Sequence, residues 1–539
     1  MIRTVPTCGA GLSAPSPDND KFRLRRFAER LAAAGEVRRV DTPVDLAALA
    51  QEIESTPQAS WFEHVGPDGL EMVAGICASR RRLAMAFETD ERSLTRSVVQ
   101  RITTPQPVVE VGSAEAPVHA QVLTGDAIDL ARLPFYLQHA LDAGPYISAA
   151  IDFSIDRTSG KRNIGCRRLM LRDRTTCHTN LTNTSDLKTM YMAALKRGET
   201  LPVSFAIGSH PADFLAGVLK APMPDEFSLL ASLRGAPAPF VRCITNDILV
   251  PADAEIVLEG YLGAEGYCEM DGPYGEFWGF YGPMHIDPVF HVTAIATRAD
   301  ALHQTIVHGG HDSARMETNQ ATAILCELVA GRTLRSAGIE PAAVFAPPGS
   351  TLFQSVRVAL KRADRARARE AMDCLFKLPG FKHVVVTDDD VDVFDDHEIH
   401  WATSTRFRAD RNLVVAAGMP GFYEDPMADA DGTTVKLGVD LTAPANWPRN
   451  IQQRRTSAPA IVGIGSASLR EALAQGPQFF ADLMRATGSR DGRELALALE
   501  ELSAAGRLDR LADGQYTLRA TGPDGTDAGA AETREGVDS

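Results

Sequence analysis

The stretch VRCITNDILVPADAEIVLEGYL, Val241–Leu262, decides how the middle of this chain is read. It holds apolar, β-branched runs parted by Asn-Asp and by Pro-Ala-Asp, and none of the runs has helical period. That is the pattern of strand, turn and long strand. Similar runs lie on both sides: YISAAIDFSID at 146–156, NIGCRRLMLRD at 163–173, LPVSFAIG at 201–208 and VFHVTAIATR at 289–298. Turn residues separate them, and helical period interrupts them only near 186–197 and 211–219. Many strands with few helices between residues 119 and 300 predict a β-barrel or sandwich core.

The flanks read differently. Residues 22–58 predict an amphipathic helix, a short strand and turn in EVRRVDTPVD, and a second helix. MVAGICASRRRLAMAF predicts a strand, a turn and a further strand or helix, and ERSLTRSVVQRIT at 91–103 has helical period. The proline-rich TPQPVVEVGSAEAPVHA reads as a boundary. After the strand-rich region, TNQATAILCELVAG and VRVALKRADRARAREAMDCLFKL read as helices, and HVVVTDDDVDVFD as a strand. Residues 467–519 predict three helices and a hairpin turned at Asp-Gly, a winged-helix-like pattern. Its third helix, DGRELALALEEL, carries more acids than bases. A structural or oligomer-contact role therefore fits it better than DNA reading. The divisions that follow are an α/β domain at 22–115, a barrel domain at 116–317, a second α/β domain at 318–458, the extension at 465–520 and a disordered tail at 521–539.

Composition narrows the function. The net charge of −15 over 539 residues opposes non-specific binding to nucleic acid or anionic membranes. No run approaches the ~20 apolar residues of a membrane helix, and the N-terminal stretch lacks an apolar signal core, so a short disordered leader and a cytoplasmic protein are expected. The eight cysteines form no CxxC pair and predict free thiols.

Three stretches hold residues with chemical potential. In RNIGCRRLMLRD, Arg168 on a half-buried strand needs an anion, either a structural carboxylate or a bound substrate carboxylate. In EMDGPYGEFWGFYGP, Glu269–Pro283, Asp271 and Glu276 flank a tight turn set among aromatics. Neighbouring acids split their pKa values, and a nearby arginine lowers one of them, which suits proton transfer; a solvated acidic turn is the plainer reading. In LKAPMPDEFSLLASLRG, Glu226 opens a predicted helix, either as a favourable first-turn acid or as a hard-metal ligand. HGGH at His308–His311 lacks a strong metal spacing. TDDDVDVFDDHE reads as a solvated turn, and VGIGSAS at 462–468 lacks the third glycine of a dinucleotide fingerprint.

Taken in order, these stretches resemble the UbiD-like family of carboxy-lyases across roughly residues 22–455. NIGCRR resembles the family's Asn-Val-Gly-x-Tyr-Arg strand, and GETLPVSFAIGSHPADFLAG its Leu-Pro-Val strand, turn and helix. DEFSLLASLRG, LVPADAEIVLEGYL, DGPYGEFWGFY, IHWATSTRF and KLGVDLT resemble further motifs in the same sequence order. The resemblance implies an N-terminal α/β domain, a central split β-barrel of flavin-reductase type, and a C-terminal α/β domain that mediates a homodimer or homohexamer. The winged-helix-like segment departs from that pattern.

It also implies prenylated FMN, supplied by a flavin prenyltransferase partner and bound with Mn²⁺ or Mg²⁺ and K⁺. The implied cofactor-binding residues are Asn163, Gly165, Cys166, Arg167, Ala221, Pro222 and Glu226, with Asn163 and Glu226 as metal ligands. The family's histidine ligand falls at Thr184 here, and His178 lies nearby at the wrong spacing. The family's catalytic Glu-Arg-Glu/Asp set maps onto Asp271, Arg168 and Glu276, the first acid being one methylene shorter. The implied reaction is non-oxidative, reversible decarboxylation of an aromatic, heteroaromatic or α,β-unsaturated acid, with Glu276 as general acid. An FMN-binding oxidoreductase and a non-catalytic subunit of a carboxylase complex are the alternatives.

Overall fold

The computed structural model describes residues 17–519 apart from 183, 220–224, 351–352, 362–363, 423, 444–455, 457 and 461–464. Residues 1–16 of the predicted leader and the tail at 521–539 lie outside the described residues, as do Ala221 and Pro222, while Pro17–Phe22 forms a short 3-10 helix where a disordered leader was expected. The chain divides into two compact units, residues 1–443 and 444–539.

In the first unit the helix Leu24–Ala33 buries Leu24, Phe27, Ala28 and Leu31 on one face. Their spacing fits one stripe of a 3.6-residue period. Strands Val37–Val40, Ala59–Val65, Leu70–Ala74 and His303–Thr305 form a four-stranded sheet in that order. Its last strand arrives from beyond the barrel, a long-range pairing that no local pattern marks.

The centre is a closed barrel. Ile256–Asp271, Leu201–Ile207, Tyr146–Ile155, Arg162–Leu171, Thr176–Thr179 and His285–Thr297 pair in that order. Ile256–Asp271 then pairs antiparallel with His285–Thr297 and shuts the ring. Closure leaves these strands no free edge. One side of the barrel wall packs Leu169, Val203, Phe205, Leu258 and Phe290 into a core of their own. At Gly260 the two closing strands approach so nearly that a Cβ would lie 2.8 Å from Phe290 Cε2.

Two sequence readings are corrected. The proline-rich connection holds a strand, Val108–Val111, parallel to Ala238–Arg242 and so part of a three-stranded sheet. VRVALKRADRARAREAMDCLFKL is a strand, Ser355–Leu360, and then a helix, Arg365–Phe376, whose N-cap Asp364 accepts from the Arg367 N–H. Val356 and Val358 alternate on the sheet's buried face, a period of two that the arginine-rich helix after them masks. The sheet that follows orders Pro341–Phe345, Ser355–Leu360, His383–Asp388, Thr433–Leu441 and Leu413–Pro420. IHWATSTRF lies in the helix Asp396–Arg406 up to Arg406, with Phe407 as its C-cap.

The second unit has helices Leu469–Ala474, Phe480–Thr487 and Arg493–Ala504 and the hairpin Leu508–Arg510/Tyr516–Leu518. Leu473, Leu483, Leu495, Leu499 and Leu508 give it its own core. Cys77, Cys166, Cys177, Cys243, Cys268, Cys326 and Cys374 are free thiols. Among the described residues, no helix is long and apolar enough to cross a membrane.

Candidate active site

Arg168 projects from the barrel strand Arg162–Leu171, and Asp271 ends the long strand Ile256–Asp271. The cis Gly272–Pro273 bond and a two-residue ladder, Tyr274–Gly275 with Tyr281–Gly282, form the turn that carries Glu276. The structure therefore brings Arg168, Asp271 and Glu276 together. Arg168 Nη1 donates to Glu276 Oε1. Arg168 Nη2 lies 3.8 Å from Asp271 Oδ1, beyond hydrogen-bond length. Asp271 Oδ1 instead accepts the Tyr146 hydroxyl at 2.9 Å. The guanidinium sits 4.5 Å from the centre of the Tyr274 ring. Ser148 and Gln138 hold that ring by its hydroxyl at 2.6 and 2.8 Å.

The electrostatics split the two acids. Burial pushes both up. At Glu276 the Arg168 charge and the His308 hydrogen bond outweigh it, bringing the carboxyl to about 2. At Asp271 burial wins over the more distant Arg168, and Asp287 adds to the upward shift. Arg168 is buried too, but the charges of Glu276 and Asp271 hold it above its ordinary range.

Several members of the site escaped the sequence reading. His308 Nε2 lies 3.1 Å from Glu276 Oε2, and its Nδ1 pairs with Thr318 Oγ1 at 2.8 Å. It belongs to the acid turn, while its HGGH companion His311 is exposed. Behind Asp271, His285 Nε2 faces Asp287 Oδ2 at 3.0 Å, and that hydrogen bond raises the imidazole's pKa. His178 is buried on the neighbouring strand, and neither ring nitrogen makes a hydrogen bond within the described residues. The charges of Asp271 and Glu269 act on it. No spacing in the chain could have announced these contacts.

A second cluster lies along the same arginine-bearing strand. Asn163 Nδ2 donates to Asp152 Oδ2 at 2.7 Å, and Glu226 Oε2 accepts the Ile164 N–H at 2.8 Å. The helix Glu226–Arg234 is capped by Asp225, which accepts from the Phe227 N–H, so Glu226 reaches across to the strand. Thr184 is exposed. The buried carboxylate beside Asn163 is Asp152, driven up to about 7 first by burial and further by Glu226, against the pull of Arg167. A Cβ on Gly165 would lie 2.7 Å from Asp152 Oδ1, so glycine there leaves that oxygen its place. Arg167 Nε is 3.2 Å from Asp152 Oδ1, and its Nη2 donates to Ser185 Oγ at 3.2 Å.

A cavity of about 740 Å³ is lined by Cys166, Arg167, Arg168, Glu276, Trp278 and His308 among others, and Arg167 and Ser185 are the members of the second cluster on its wall. Its volume lies in the range of cofactor and ligand sites. Asn163, Asp152 and Glu226 offer oxygen donors, which suit a hard divalent cation, and their excess negative charge is what such a cation balances. Arg167 beside them suits a phosphate. The residues present therefore fit a phosphorylated cofactor held with a divalent ion.

Residues 28–102, 109–311 and 323–441 match the N-terminal, Rift-related and C-terminal domains of the 3-octaprenyl-4-hydroxybenzoate carboxy-lyase family, UbiD. Anhydromevalonate phosphate decarboxylase of Methanothermobacter thermautotrophicus is 30% identical over 379 residues, 70% of this chain and 86% of that protein. The UbiD-class enzyme HmfF of Pelotomaculum thermopropionicum, solved with FMN, is 31% identical with a TM-score of 0.75, over 84% of this chain and all of that one. An evolved dimeric form of the same enzyme, solved with prFMN, is 29% identical with a TM-score of 0.72, over 81% of this chain and 97% of that one.

Proposed function

As this chain belongs to the UbiD family of carboxy-lyases, we propose that it decarboxylates an aromatic, heteroaromatic or α,β-unsaturated acid with prenylated FMN, reversibly and without net oxidation. The observation that carries this reading is Arg168 between Glu276 and Asp271, with His308 behind Glu276. A guanidinium so placed binds a substrate carboxylate, and the adjoining acid and imidazole move a proton.

Asn163, Asp152 and Glu226 would hold a divalent cation, Mn²⁺ or Mg²⁺, and Arg167 a phosphate. The bound flavin would supply the electron sink for C–C cleavage. The chain's own residues do the rest. Arg168 orients the substrate carboxylate over the Tyr274 face. That carboxylate takes over part of the cation that keeps Glu276 ionised and brings a second negative charge beside it, so the pKa of Glu276 climbs toward a working range. Glu276 then holds a proton at Oε. When the carbon–carboxylate bond breaks, CO₂ leaves, the electron pair stays on carbon and Glu276 delivers the proton there. His308, 3.1 Å away, is placed to restore it. Asp271 and Tyr146 steady Arg168 from the far side.

The first test is the mass and spectrum of the cofactor released from protein co-expressed with a flavin prenyltransferase, followed by a screen of unsaturated and aromatic acids for CO₂ release. Glu276→Gln is expected to keep the flavin and lose about 10²–10⁴-fold in turnover. A variant that decarboxylates normally removes Glu276 from the role of acid.

A further inference from the structure

Resting on that reading, we propose that His139 is a positioning residue, the shared wall against which the turn carrying Glu276 and the loop carrying His308 are set in register.

His139 lies in the loop that follows the bridge between Tyr136 and Tyr146. Its ring Nδ1 is 3.1 Å from Asp142 Oδ2, and its own main-chain N–H donates to the same oxygen at 2.9 Å. Asp142 is buried, and its other oxygen accepts the Gly275 N–H at 2.9 Å. Two more hydrogen bonds tie this loop to the acid turn. The Ala143 N–H donates to the Pro273 carbonyl at 2.9 Å, and the Leu141 N–H to the Tyr281 hydroxyl oxygen at 3.1 Å.

The imidazole then presses on two glycines at once. A Cβ on Gly275 would lie 2.6 Å from His139 Cε1, and one on Gly309 would lie 2.9 Å from the same atom. Neither glycine has the positive φ that calls for glycine on conformational grounds, so the requirement is for space. Gly275 is bonded to Glu276, and Gly309 to His308. A rigid ring touching both backbones therefore fixes the separation at which Glu276 Oε2 and His308 Nε2 meet, 3.1 Å. The ring's edge-on contact with Tyr274, 5.5 Å between centroids, extends the same wall to the residue beneath Arg168.

Among the described residues the ring makes no hydrogen bond to the Glu276 or His308 side chain, so its effect belongs to the chemical step and not to substrate capture. His139→Ala is expected to lower kcat about 10- to 100-fold while KM changes by less than about threefold, the consequence of misplacing an acid by about 1 Å. The crystal structure of that variant should show the Glu276–His308 separation opened beyond hydrogen-bond length. Gly309→Ala should damage the native protein, because its Cβ meets the ring, and should do less damage in the His139→Ala background, where the ring is gone. If His139→Ala does not fold, His139→Asn keeps a partner for Asp142 without the ring and carries the same expectation.

An unchanged 3.1 Å contact, an unchanged kcat, or additive effects of the two substitutions would each overturn the proposal. Failure of the native protein to release CO₂ from any acid would sink the decarboxylase reading instead, while the crystal structure still decides the role of the ring.

Discussion

Glutamine at position 276 removes a carboxylate that the fold holds far below its ordinary range, and the loss is measurable as stability without any substrate. The Glu276 side chain is 20% exposed. Burial raises its pKa, but the Arg168 charge and the His308 hydrogen bond outweigh burial and bring it from 4.5 to about 2. At about 1.4 kcal/mol per unit, that depression stabilises the folded state by about 3 kcal/mol at neutral pH, an upper figure given the residual exposure.

The depressed value belongs to the folded state. The stabilisation is therefore complete above pH 4.5 and is lost as pH falls through that value toward 2. It should have dropped to roughly 1.4 kcal/mol near about pH 3. Glutamine takes up no proton, so the gap between native protein and Glu276→Gln should be widest near about pH 7 and narrow by more than half near about pH 3. Thermal or urea unfolding followed by tryptophan fluorescence reads this directly, since Trp278 lies on the same turn. The gap between the two proteins is the quantity to compare, because a chain of several domains need not unfold in one step. A gap that is constant with pH, or that widens on acidification, refutes the assignment of Glu276 as the partner of Arg168.

Asp271→Asn should lower kcat/KM about 10- to 100-fold, the cost of letting Arg168 shift once the carboxylate 3.8 Å from it is gone, with flavin content unchanged; loss of the flavin instead would place Asp271 in cofactor binding. Gly260→Ala puts a methyl group against Phe290 and the His291 carbonyl in the closing ladder of the barrel. It should destabilise the protein by about 1–3 kcal/mol or more, and an unchanged melting temperature would mean that the two strands separate there at little cost.

The strand-rich middle was legible because its short apolar runs fit a pleated, buried wall and the turns between them must carry Gly, Pro, Asn or Asp. LPVSFAIG, NIGCRRLMLRD and VFHVTAIATR each became a barrel strand for that reason. VRVAL was misread because only four residues of alternation precede an arginine-rich helix, and Val108–Val111 was missed because the proline-rich residues around it mimic a linker. The meeting of Arg168 with Glu276 was foreshadowed by charge: an arginine inside a barrel strand needs an anion, and the acid turn supplied one.

The chain's sequence by itself determined the family and most of the strand and helix order, and it marked the two acids and the arginine as candidates, since period, turn chemistry and ordered motifs are local properties of the chain. Only the tertiary structure decided that His308 backs Glu276, that Asp152 and not Thr184 sits buried beside Asn163, and that His139 abuts two glycines. Those contacts join residues from separate strands and loops. Barrel closure brings them within reach, and nothing in the local sequence records which neighbours closure will supply.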